Sequence, residues 1–175
     1  NHDHVHGIQH GLAKLEKAGA RLLSNQSLRL TPEKTWSANL DGPGLLVGGA
    51  EDLWFGHCDL EQTLRGAPSK LPRLVMAHNP DTAEHQPHHQ IDLMVSGHTH
   101  GGQLRLPLIG SPLVPSDFGD KYLHGLVQAP GYPVLVTRGL GVSGLPMRLG
   151  SPPELAILSL KAHGQNESSS YSEKG

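Results

Sequence analysis

The apolar residues of this chain fall in short runs separated by glycine, proline and polar residues, a rhythm of strands rather than of long helices. Residues 91–95, Ile-Asp-Leu-Met-Val, predict a buried strand that stops at Ser96-Gly97, and residues 73–77, Arg-Leu-Val-Met-Ala, predict another. Leu45 to Val47 begins a third strand, while residues 20–23 and 27–30 predict two more about a turn at Asn25-Gln26. Residues 122–128 and 133–138 predict a hairpin joined at Ala129-Pro130-Gly131, and residues 154–160 predict a last strand. Helical spacing is clear only at Ile8, Leu12 and Leu15, with Lys14 and Lys17 near the end and Gly19 as a stop, which predicts a packing helix over residues 7–18. Asp59 can cap a brief helix reaching Leu64.

These elements predict an α/β fold with one domain over residues 1–162 and a polar, serine-rich, disordered tail over residues 163–175. Residues 79–90 number twelve, about the minimum for a crossover between parallel strands. If the strands before and after that connection run parallel, their ends meet at one edge of the sheet, where open α/β sheets place their sites.

Chemistry collects at those ends. The first strand runs into His78-Asn79-Pro80-Asp81 and the second into Gly97-His98-Thr99-His100-Gly101-Gly102-Gln103. Alternate residues of an extended segment share a face, so His98 and His100 can aim into one small volume, and the flanking glycines allow close backbone approach. Divalent metals such as Mn, Fe and Zn accept imidazole and oxygen donors, and a pair of such ions can clamp both the attacking and the leaving oxygen of a phosphoryl transfer.

Composition narrows the alternatives. A formal charge of −2 with 14 scattered lysines and arginines argues against a nucleic-acid partner. No apolar run approaches the roughly 20 residues that span a bilayer. A single cysteine, Cys58, excludes an internal disulfide and a thiolate cluster, and without a basic neighbour in sequence it reads as an inert thiol. Of the 13 histidines, His85, His88 and His89 fall in a polar connection with Pro87 and read as surface, while His4 and His6 read as solvated or at the mouth of the site. Residues 139–144 satisfy GxGxxG, but Leu145-Pro146 follow in place of a helix, so loop glycines are a better reading than a nucleotide site.

The residues that carry this chemistry resemble a known family. Asn1-His2-Asp3, His78 in His-Asn-Pro-Asp and Gly97-His98-Thr99-His100 resemble the later motifs of the calcineurin-like metallophosphoesterases. Ser96 to Gln103, Arg138 to Gly141, and Pro146, Arg148, Pro153 and Glu154 are similar to the bacterial branch of YkuE-like enzymes and LpxG-type UDP-2,3-diacylglucosamine pyrophosphatases. The resemblance implies a two-sheet β-sandwich flanked by helices, and hydrolysis of a phosphoester or pyrophosphate bond by metal-bound hydroxide, with a UDP-sugar lipid as one candidate substrate.

It implies two divalent ions, Mn, Fe or Zn, with Asn1, His78 and His98 on one and His100 on the other. It implies that His2 contacts the phosphate and protonates the leaving group. The substrate would be a phosphorylated small molecule or a lipid-linked one. The family's upstream DxH and GDxxD motifs have no counterpart here, and Asp81, Asp92, Asp117 and Asp120 lack the spacing to replace them. The chain therefore reads as the C-terminal portion of a longer protein, with membrane association open to the upstream region and with an apolar face expected to stand open. The alternative is a non-catalytic, metal-binding remnant.

Overall fold

The computed structural model describes residues 2, 8–112 and 114–161. Its frame is a mixed sheet of seven strands: β1 (Gln26–Leu30), β2 (Trp36–Ser37), β3 (Leu45–Gly49), β4 (Arg73–Met76), β5 (Leu93–Ser96), β6 (Gly125–Gln128) and β7 (Pro133–Val136), in the order β2-β1-β3-β4-β5-β7-β6. The four central strands β3, β4, β5 and β7 run parallel, and the outer pairs are antiparallel. The expected α/β class is what forms, and the described residues build one sheet of it. The β4–β5 pair is parallel, as the length of its connection allows, with Leu74 opposite Leu93 and Met76 opposite Val95. The expected hairpin is present as β6–β7.

Among the described residues three α-helical elements accompany the sheet: α1 (Ile8–Lys17), α2 (Leu60–Thr63) and α3 (Thr82–His85). Asp59 is the N-cap of α2, its Oδ1 accepting from the Gln62 amide at 2.7 Å. Gln86, just past α3, accepts from the Leu60 amide at 2.8 Å and donates to the Cys58 carbonyl at 2.9 Å, which fastens the two short helices together. Leu46, Val75, Met94, Val134 and Val136 point to the covered face of the sheet and are fully buried with Leu60, Ala83, Tyr122 and Tyr132. Pro80 and Asp81 start α3 directly after β4, so this packed layer also fixes the segment that carries His78.

Three expectations fail. Residues 20–23 form no strand, and Leu22 is exposed. Residues 154–160 form no strand either: Leu155 and Ile157 are 74% and 84% exposed, and the backbone tie of this segment is Glu154 N–H to the Gly139 carbonyl at 2.9 Å. β-propensity is a fit to a neighbouring strand, and where no neighbour offers a ladder it has nothing to act on. Helix α1 forms where expected and stops at Gly19, whose φ of 89° suits the left-handed end of a helix. It is not a packing helix, since Leu15 remains 56% exposed. The tail over residues 163–175 lies outside the described residues.

The second face of the sheet is apolar and open. Leu45, Leu74, Leu93, Val95 and Leu135 are half-buried, and Met76 and Leu126 are exposed. Parallel sheets are ordinarily covered on both faces. The chain alone is therefore expected to bind a hydrophobic dye such as ANS strongly and to self-associate with rising concentration. Light scattering that showed a dye-silent monomer at high concentration would contradict an open face.

Candidate functional site

Parallel pairing brings the two histidine-bearing strand ends together. The ladder runs one step past the strands: Ala77 N–H donates to the Val95 carbonyl at 3.1 Å and Gly97 N–H to the His78 carbonyl at 3.0 Å. His78 and His98 therefore leave adjacent strands side by side. His98 Nδ1 lies 3.3 Å from His78 Nε2, with ring centroids 5.0 Å apart. Two nitrogens about 2.1 Å from a shared cation lie about 3.0 Å apart at an octahedral angle and about 3.4 Å apart at a tetrahedral one, so the spacing fits two corners of a metal site.

His98 is 7% exposed and its Nε2 is buried with no hydrogen-bond partner. Burial, then the charge of His78, pushes its pKa down to about 4, and burial likewise lowers His78. Both imidazoles are then neutral near pH 7, the form that ligates metals.

The backbone after β5 is held in a rare conformation. His98, His100 and Gln103 have φ of 65°, 52° and 43°, left-handed values that cost a non-glycine residue energy and that cluster at functional sites. The Thr99 hydroxyl, buried between the two histidines, donates to the Leu123 carbonyl at 2.9 Å. His100 Nδ1 lies 3.3 Å from the Gly141 carbonyl, a bond that puts its proton on Nδ1 and leaves Nε2 for a ligand. Burial, then the charge of Arg148, lowers the His100 pKa.

Sequence reasoning missed the residues that hold this loop. Gln103 donates to the Ser143 and Leu145 carbonyls, both at 2.9 Å, and accepts from the Ser143 amide at 2.8 Å. Arg148 donates to the carbonyls of His100, Arg138, Gly139, Gly141 and Ser151. Both side chains stood inside the motifs quoted above, but nothing in their spacing shows that they clamp residues 139–145 against His100. The glycines of GxGxxG are thus loop glycines, with φ of 67° at Gly139 and Gly144.

Asp52 and Trp54 were missed too. Asp52 Oδ1 accepts from the Trp54 and Phe55 amides at 2.9 and 2.8 Å, and Trp54 stands edge-on to His98 with ring centroids 4.5 Å apart. Burial alone would raise the Asp52 carboxyl, but those backbone N–H groups help to hold it below its usual value. An Asp two residues before an aromatic at a strand end was the available signal for this turn.

The other predicted positions divide clearly. His2 is exposed, with Nε2 3.1 Å from Ser143 Oγ, and its charge is felt at both His78 and His100. Asn1 lies outside the described residues, as do His4 and His6. Asp81 and Asp92 serve structure: Asp81 accepts from the Ser116 hydroxyl and the Asp117 amide, and Asp92 from the Arg73 amide. Burial raises the Cys58 thiol above its usual value, as suits an inert residue. Among the described residues, no group of three or more His, Cys, Asp or Glu side chains is arranged to hold a metal ion. His78 and His98 supply two donors, and a complete site needs others.

Depressed histidines make folding pH-dependent. An unfolded chain takes up protons near pH 6.5 that buried His98 refuses until about 4, so this stability is whole above 6.5 and lost as pH falls toward 4. The metal-free protein is expected to lose up to about 3 kcal/mol over that interval. Urea melts at pH 7 and 4.5 measure it, and equal midpoints would mean that His98 titrates normally.

Known proteins match this sequence. The chain is 37% identical over 164 residues to the phosphodiesterase YaeI of Escherichia coli, covering 91% of this chain and 56% of that protein. It is 35% identical over 122 residues to the uncharacterized metallophosphoesterase YkuE of Bacillus subtilis, covering 70% and 42%. It is also 31% identical over 173 residues to a transmembrane protein with metallophosphoesterase domain from Bos taurus, covering 93% and 37%. The chain belongs to the calcineurin-like metallophosphoesterase family. It spans about half the length of the curated relatives it matches. No family model matches it, and no solved structure matches it significantly.

Proposed function

We propose that this chain carries the histidine-bearing part of a metal-dependent hydrolase of phosphoester or phosphoanhydride bonds. The observation that supports the reading best is the meeting of His78 Nε2 and His98 Nδ1 at 3.3 Å. In this reading Asn1, His78 and His98 hold one divalent ion, Mn, Fe or Zn, and His100 is a ligand of a second. Such ions would supply positive charge for the phosphoryl oxygens and make water acidic enough to react near neutral pH.

The chain's own residues do the rest. The Gly141 carbonyl keeps the His100 proton on Nδ1, and Trp54 shields one side of His98. His2, exposed beside Ser143, contacts the phosphate and delivers a proton to the departing oxygen. The substrate is a phosphorylated small molecule or a lipid-linked one, with a UDP-sugar lipid suggested by the resemblance. Among the described residues no helix is long and apolar enough to cross a membrane, so the membrane association suggested by the name of the bovine relative would rest on other segments.

The test is hydrolysis of bis-p-nitrophenyl phosphate by the chain alone and by an upstream-extended form, each with Mn and after EDTA. Turnover by the extended form alone, lost with EDTA and restored by Mn, is the expected result. Metal binding without turnover in either form would overturn the hydrolase and leave a metal-binding remnant.

A further inference from the structure

Beside His100 lies a cavity of about 430 Å³, within the range of small-molecule sites. Leu104, Val114, Pro115 and Leu145 contribute apolar lining, and His100 and Ser143 line it too. Two features settle what it can take. Among the described residues no charged side chain lines it. Two of its polar side chains are also committed within the protein: Thr99 to the Leu123 carbonyl, and Gln103 to the backbone of Ser143 and Leu145. A sugar or nucleotide placed there would surrender its hydrogen bonds to water and find few in return.

Position gives the cavity its meaning. Ser143 lines the cavity and its Oγ is 3.1 Å from His2 Nε2, so the cavity adjoins His2 as well as His100. A phosphoryl group placed between them would sit at the cavity mouth and direct one substituent inward. We propose that this cavity is the subsite for an apolar substituent of the phosphorylated substrate, an alkyl or acyl chain, with Leu145 and Val114 setting the preference for chain length. This rests on the hydrolase reading above.

The test is binding of monoalkyl phosphates, methyl to octyl and below their micellar concentrations, to the upstream-extended protein and to the chain alone in the presence of Mn. Affinity is expected to rise roughly fourfold per methylene until the cavity is full. The slope should fall toward zero in Leu145→Asp and independently in Val114→Asp, with thermal melts confirming that each variant folds. A wild-type affinity indifferent to chain length would overturn the subsite. So would a slope that both variants retain, because the chains would then be adsorbing elsewhere, such as on the open face of the sheet.

Hydrolysis of p-nitrophenyl alkyl phosphates by the extended form separates the two claims. No turnover of any member, including the methyl ester, would count against the hydrolase, while the binding slopes would still decide the subsite. Turnover with KM independent of chain length would leave the hydrolase standing and overturn the subsite.

Discussion

Replacing His98 by phenylalanine is expected to lower Mn-dependent phosphodiester hydrolysis by the extended protein more than about 100-fold while lowering the metal-free melting temperature only slightly, because relief of an orphaned nitrogen offsets the strain of a phenylalanine at a φ of 65°. The loss follows from position: His98 supplies a nitrogen 3.3 Å from that of His78, and without it the pair is gone. Outer partners of a metal ligand are typically worth 10–100-fold, so the ligand itself should exceed that. The stability half has a separate origin. The Nε2 of His98 is buried and unpartnered, and such a group costs about 1–3 kcal/mol. Phenylalanine removes it and keeps the edge contact with Trp54. Calorimetry and the bis-p-nitrophenyl phosphate assay read the two halves separately. A large fall in metal-free stability would show His98 to be a packing residue, and retained activity would remove it from the site.

Arg148 carries the second large effect. Its guanidinium donates to five backbone carbonyls, including those of His100 and Gly141, and Gly141 in turn orients the His100 ring. Lysine cannot replace it, because one ammonium on a flexible stem has three donors and no planar fork. Arg148→Lys is expected to weaken Mn affinity and activity about 10–100-fold, the scale of lost outer-shell orientation. Isothermal titration with Mn, beside activity, checks this. Wild-type affinity in the variant would mean that residues 139–145 hold their place without the clamp.

The central sheet was legible because its strands advertise themselves. β4 and β5 are apolar runs ending in small residues and histidine, and the twelve-residue connection between them admits a parallel pair. The meeting of His78 and His98 followed from that pairing alone. What the sequence hid depends on contacts between distant segments. Gln103 and Arg148 act on the backbone of residues 139–145, and no periodicity encodes a side chain that holds a loop. Trp54 stands edge-on to His98 because Asp52 bends the chain after β3. Residues 154–160 have the composition of a strand, yet their apolar side chains stand exposed, because composition can describe a strand but cannot supply its neighbour.

The left-handed backbone at His98 also constrains how the gene can drift. A histidine codon reaches asparagine or aspartate by one base change, and these two share with histidine the capacity for a positive φ such as the 65° found here. They also bring an oxygen donor in place of an imidazole nitrogen, which favours harder cations. On the metal-dependent reading proposed above, the neighbouring genotypes that keep the backbone are those that would shift which ion the site prefers, so a lineage could change ions here without first losing its fold.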